Sequence, residues 1–141
     1  MLLYLVNSVL NRPFDDQRQP RIWLETLSFS LVLTLIEAGE AKLIRSPIHD
    51  LENGRNPFLL RQRWIEKCLR LAEVSVALND PIKSRALALE QAGVRALDAL
   101  HLACAEAAGT ESFLTCDDRL IRRYSGQMIV QTPVTFTTGL T

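Results

Sequence analysis

Three carboxylates in this chain stand where strands end or buried helices begin. Glu52 lies in a short helix after the second strand, Asp98 in the first turn of an alanine-rich helix, and Asp117 just after the apolar strand Ser112–Cys116. If the sheet is parallel, these positions converge on one edge, where open α/β sheets bind their ligands. Carboxylates gathered in a small space repel one another and raise their pKa values unless a cation neutralises them. The hard-cation solution is Mg²⁺ or Mn²⁺, which takes one or two carboxylates and keeps waters for a phosphate or a nucleophile. Each acid also has a plain structural reading. Asp98 complements a helix dipole, Asp117 caps the helix that follows it, and Glu52 is a solvated residue on a short helix. Their joint placement favours the chemical reading.

Around these acids, Asp118 faces away from Asp117 and supports the helix start. Arg119, Arg122 and Arg123 either hold phosphates beside the acids or form a solvated helix face. His101, one helical turn from Asp98, reads as a hydrogen-bonded packing residue rather than a base. His49 has no evident role.

The elements that must position these residues follow from periodicity and turn signals. Leu2–Val6 reads as a strand buried on both faces, followed by the polar loop Asn11–Pro20. A helix over Arg21–Ala38, stopped by Gly39, leads to a second strand, Ala41–Arg45. That helix is apolar almost all the way round: Leu24, Leu27, Leu31 and Leu35 form one stripe, and Phe29, Val32, Leu33 and Ile36 widen it. Such a helix is sandwiched in a core or used in an interface.

Ser46 and Pro47 signal the start of a short helix ending near Asn53 and Gly54. Leu59 to about Ala77 reads as a helix with Trp64, Cys68 and Leu71 inside; Val74–Leu78 is either its frayed end or a third strand. Asp80 and Pro81 open a helix through Gln91, and Gly93 ends it. The alanine-rich helix, turning at Gly109, the strand Ser112–Cys116, a helix from Asp117 and a strand Met128–Gln131 complete the series. The threonine-rich tail TPVTFTTGLT is expected to be poorly ordered at its end. This order points to an α/β fold, a three-layer α/β/α arrangement with a mostly parallel central sheet.

With 141 residues and no linker, repeat or change of composition, the chain reads as one domain over 1–141. Sixteen basic and sixteen acidic residues cancel, so there is no general basic field for nucleic acid, and phosphate recognition must be local. The three cysteines, Cys68, Cys104 and Cys116, have no metal-ligand spacing and fit a reducing, cytoplasmic setting. The apolar start MLLYLVNSVL lacks the basic region and cleavage site of a signal peptide, and no run is long enough to cross a membrane.

The segments YLVNSVLNRPFDDQ, SPIHDLENGRNP and GVRALDALHLACAEAAGTESFLTCDDRLIRR together resemble a PIN domain, the metal-dependent nuclease fold of many prokaryotic toxin ribonucleases. The resemblance covers essentially the whole chain. It implies an acidic quartet that binds Mg²⁺ or Mn²⁺ and hydrolyses RNA, with the second, third and fourth acids falling on Glu52, Asp98 and Asp117. The family's polar residue after the first strand falls on Ser8. Where the family has aspartate at the end of that strand, this chain has Val6, which cannot ligate a metal. Asn7 offers an amide oxygen but points the other way unless the strand has already turned.

The expectation is a Mg²⁺-dependent endoribonuclease of the toxin type, impaired at its first acidic position. Glu52, Asp98 and Asp117 are its catalytic and metal-binding residues; Ser8, Asp118 and Arg119 contact substrate or support the site. RNA, an antitoxin protein and a second copy of the chain are the expected partners, with no membrane. The alternative is a catalytically inactive PIN-like module that binds a protein or RNA. A third reading, a metal phosphatase or phosphate-binding α/β protein, is weakened by the lack of a glycine-rich phosphate loop.

Overall fold

The computed structural model describes residues 1–140. Apolar runs too short for helices form the sheet: β1 (Leu2–Leu5), β2 (Lys42–Arg45), β3 (Val74–Ser75), β4 (Ser112–Leu114) and β5 (Ile129–Gln131). They pair in the order β3-β2-β1-β4-β5, every pairing parallel. Parallel strands need crossover helices, which cover both faces, and the central strands are accordingly apolar throughout. Leu3, Tyr4, Leu5, Ile44, Phe113 and Leu114 are wholly buried. The result is the expected three-layer α/β/α architecture.

The helices are α1 (Asn7–Asn11), α2 (Pro20–Glu37), α3 (Pro47–Gly54), α4 (Leu59–Leu69), α5 (Asp80–Gln91), α6 (Ala96–Ala107), α7 (Asp118–Arg123) and α8 (Pro133–Thr138). A 3₁₀ turn, Arg12–Phe14, follows α1. Helix α2 divides its apolar surface. Phe29, Val32 and Ile36 enter the core, each worth roughly 1.5–3 kcal/mol of burial, whereas Trp23, Leu24, Leu27 and Leu31 stay about half exposed. Gly39, at φ +76°, ends the helix in the left-handed conformation that glycine adopts without a Cβ clash.

The fold departs from the sequence reading at three places. The chain bends directly after Val6 into α1, a helix the sequence reading did not place, although the Val6 N–H still extends the sheet ladder to the Leu114 carbonyl at 3.2 Å. Helix α4 stops at Leu69 instead of near Ala77, because Val74–Ser75 pairs with Ile44–Arg45 as a strand. Leu71 therefore lies beyond the helix and is exposed. The tail contains a helix, α8, that the sequence reading did not place. Thr132 caps α8 by accepting from the Thr135 N–H at 3.1 Å, and buried Phe136 anchors it beside α2. Thr141 lies outside the described residues.

Candidate functional site

All five strands point the same way, so the carboxyl ends of β1, β2 and β4 share one edge. Val6 follows β1, α3 brings Glu52 over the end of β2, and Asp117 follows β4. Helix α6 runs back toward β4, so its first turn presents Asp98 at that same edge. The electrostatics record the convergence. Burial pushes the Asp98 carboxyl above its usual range, and the negative charges of Asp117 and Glu52 push in the same direction, partly offset by His101 and Arg95.

Each of the other two acids already has a partner. Glu52 Oε1 lies 2.7 Å from His101 Nε2. The His101 ring is buried, and its Nδ1 meets the Tyr4 hydroxyl at 2.5 Å, which in turn lies 2.7 Å from Ser46 Oγ. One assignment with a neutral ring satisfies the whole chain: Ser46 donates to Tyr4, Tyr4 donates to His101, and His101 donates to Glu52. Asp117 Oδ1 accepts from the Arg119 N–H at 2.9 Å and so caps α7.

Asp118 forms a bidentate pair with Arg21 at 2.7 and 2.9 Å, tying α7 to α2 and holding its carboxyl below the usual range. Ser8, Arg119, Asp117 and Asp118 share a shallow crevice of about 450 Å³. Glu52 lies in a separate one of about 300 Å³ with Asn7. Because the chain has turned into α1, Asn7 does not point to the far side of the sheet. Its amide donates to the His49 carbonyl at 3.2 Å.

Val6 is 6% exposed and contributes no ligand at the point where the acids approach. Among the described residues, no three His, Cys, Asp or Glu side chains come close enough to hold a metal ion. The donor set as it stands does not fit a resident Mg²⁺ or Mn²⁺. One carboxylate is bound to an imidazole, one caps a helix, and Val6 beside them is a hydrocarbon.

A family model for the PIN domain matches residues 3–126. The chain belongs to the PIN domain family. Comparison with curated proteins gives no match. Two solved structures share the fold. FitAcB from Neisseria gonorrhoeae is 17% identical, with a TM-score of 0.56 over 94% of this chain and 98% of that one. FitAB bound to the IR36 DNA fragment is 19% identical, with a TM-score of 0.59 over 95% and 96%. PIN domains generally depend on a divalent metal.

The sequence reading passed over the residues beneath the acids. His49 is fully buried: its Nδ1 accepts from the Ser46 N–H at 3.0 Å, and its Nε2–H donates to the Leu5 carbonyl at 2.7 Å. It closes the capping box of α3 in the place a glutamate usually takes. A tyrosine within an apolar strand was the one available signal that polar partners lay beneath.

Protonating His49 would turn its acceptor nitrogen against a backbone N–H. Burial, and next the proximity of His101, hold the ring at about 3. The unfolded chain, near 6.5, therefore binds more protons between those values, and stability rises with pH across that window. We expect a loss of up to about 4 kcal/mol as pH falls from 6.5 toward 3, read from urea unfolding at stepped pH. Asp98, with its raised carboxyl, acts in the opposite sense at the acid end. His49→Gln, which can keep the cap, should flatten the His49 limb; an unchanged slope in that variant would remove His49 as the cause.

Proposed function

We propose that this PIN domain is a module of the toxin–antitoxin kind that holds single-stranded RNA along its acidic edge but hydrolyses it poorly. The observation that carries this reading is Val6, an apolar side chain at the carboxyl end of β1 where the carboxylates of α3, α6 and the β4 end approach one another. Three acids, two of them already hydrogen-bonded, give weak affinity for Mg²⁺ or Mn²⁺, since ligand charge and geometry set that affinity. Arg119, exposed beside Asp117 and Ser8, supplies local positive charge for a phosphate on a chain with no net charge.

The FitAB complexes support a protein partner of the antitoxin type. The exposed Trp23, Leu24, Leu27 and Leu31 of α2 give such a partner, or a second copy of the chain, an apolar face. No helix among the described residues is long and apolar enough to cross a membrane, and three free cysteines suit the cytoplasm.

The test pairs calorimetric titration of Mg²⁺ and Mn²⁺ with a cleavage assay on single-stranded RNA beside an EDTA control. Weak, non-stoichiometric metal binding and cleavage no faster than with EDTA are expected. Tight one-to-one binding with metal-dependent cleavage by the natural chain would overturn the proposal and restore the active ribonuclease reading.

A further inference from the structure

A third crevice, of about 750 Å³, lies between α3 and α4. Its two walls are pinned to each other. Asn53 of α3 donates to the Gln62 carbonyl at 3.0 Å, and Gln62 of α4 donates back to the Asn53 carbonyl at 2.9 Å. Arg45, at the end of β2, adds a second tie: its Nη2 reaches Asp50 of α3 at 2.5 Å and Glu66 of α4 at 2.8 Å. These are the two carboxylates that line the groove, and both are thereby committed to a cation.

The α4 wall is cationic. Arg63, Lys67 and Arg70 line the groove at positions i, i+4 and i+7, a spacing that puts them on one helix face over roughly 10 Å of axis. All three are exposed. Arg70 meets Glu66 only at 3.5 Å, and Arg63 and Lys67 have no ion-pair partner among the described residues. With Arg45, four cations meet two carboxylates, a local surplus of positive charge on a chain with none overall.

The lining decides what such a groove can hold. Leu59 is its sole apolar side chain. An amphipathic helix would need a run of apolar anchors there, whereas a polyanion needs cations set along a line. Asn53 also borders the crevice of Glu52, where exposed Arg55 stands, so the groove adjoins the acidic edge.

We propose that the α3–α4 groove is an exosite for the phosphate backbone of single-stranded RNA, in which Arg63, Lys67 and Arg70 hold the stretch of strand next to the Glu52 crevice. Their contacts position the strand and do not read its bases. The proposal rests on the RNA reading of the proposed function and adds the path of the strand beyond the acids.

The test measures anisotropy of a labelled single-stranded RNA dodecamer in EDTA over a series of salt concentrations, with a labelled glutamate dodecamer beside it. Three full-length proteins are compared: the natural chain, the groove variant Arg63→Gln/Lys67→Gln, and the control variant Lys42→Gln/Lys83→Gln. The control removes the same charge from exposed positions that do not line the groove. The groove variant should bind the RNA about tenfold more weakly at about 0.15 M salt, with the slope of log affinity against log salt flatter by about 1.4, the value for two lost phosphate contacts on a single strand. The control variant should match the natural chain, and the glutamate dodecamer should bind far more weakly than the RNA.

RNA binding that is unchanged in the groove variant, or weakened equally in both variants, overturns the exosite and leaves the RNA reading standing. A glutamate dodecamer held as tightly as the RNA, and lost in the groove variant alone, makes the occupant an acidic protein segment and overturns the proposal. Failure of the natural chain to bind the RNA even at low salt overturns both the exosite and the RNA reading.

Discussion

Val6→Asp should gain metal-dependent cleavage of single-stranded RNA, at least about 100-fold above the natural chain, because a bound metal supplies several kcal/mol of transition-state charge stabilisation. The fourth carboxylate would complete the donor set at the end of β1, opposite Asp98, Asp117 and Glu52. Affinity for Mg²⁺ should tighten by at least roughly tenfold, as ligand charge count rises.

The same substitution buries a negative charge near the Asp98 carboxyl, which burial, and next the charges of Asp117 and Glu52, already raise. Without metal the variant should lose about 2–4 kcal/mol of stability, the scale of an uncompensated buried polar or charged group. Added Mg²⁺ should then raise its melting temperature far more than that of the natural chain, by mass action on the folded state. A folded Val6→Asp protein that neither binds metal nor cuts RNA would show that the edge around Glu52, Asp98 and Asp117 is not a metal site that one added acid completes.

The largest loss of stability from a single surface-side truncation is expected at Arg12. Glu25 of α2 is 1% exposed, and its carboxylate accepts from Arg12 Nε at 3.0 Å and Arg21 Nε at 3.4 Å. Arg12 also reaches Asp15, and Asp15 reaches Arg61 of α4, so one ionic network joins the 3₁₀ turn to two helices. Arg12→Ala leaves a buried carboxylate with the longer of its two contacts. The expected cost is about 3 kcal/mol, the lower end for breaking a buried pair, measured as a fall in urea midpoint at unchanged slope. Replacing Arg12 and Glu25 together by leucine should recover most of it, because the penalty comes from the stranded charge. A loss below about 1 kcal/mol in the single variant would show that Arg21 alone satisfies Glu25.

Much of the fold was readable because its boundaries are written locally. Ser46 and Pro47 start α3, Gly39, Gly93 and Gly109 end their helices, and apolar runs mark the central strands. The positions of Glu52, Asp98 and Asp117 follow from those boundaries alone. Features that depend on distant partners were not readable. Val74–Ser75 becomes a strand only because Ile44–Arg45 lies beside it. Phe136 orders the tail only by meeting α2. Tyr4, Ser46, Glu52 and His101 form one hydrogen-bonded chain across 97 residues of sequence, and no local pattern announces it. Glu25 looks like one more charged residue on an apolar helix until Arg12 is brought against it.

The two edges of the sheet set the manner in which another protein can engage this one. β3 offers two residues and β5 three. Edges that short give an incoming strand too few backbone hydrogen bonds to extend the sheet, which blunts strand-by-strand aggregation. Recognition must then use side chains, and the half-exposed leucines of α2, with Trp23 at one end, favour a helix laid along a helix over a strand added to a sheet.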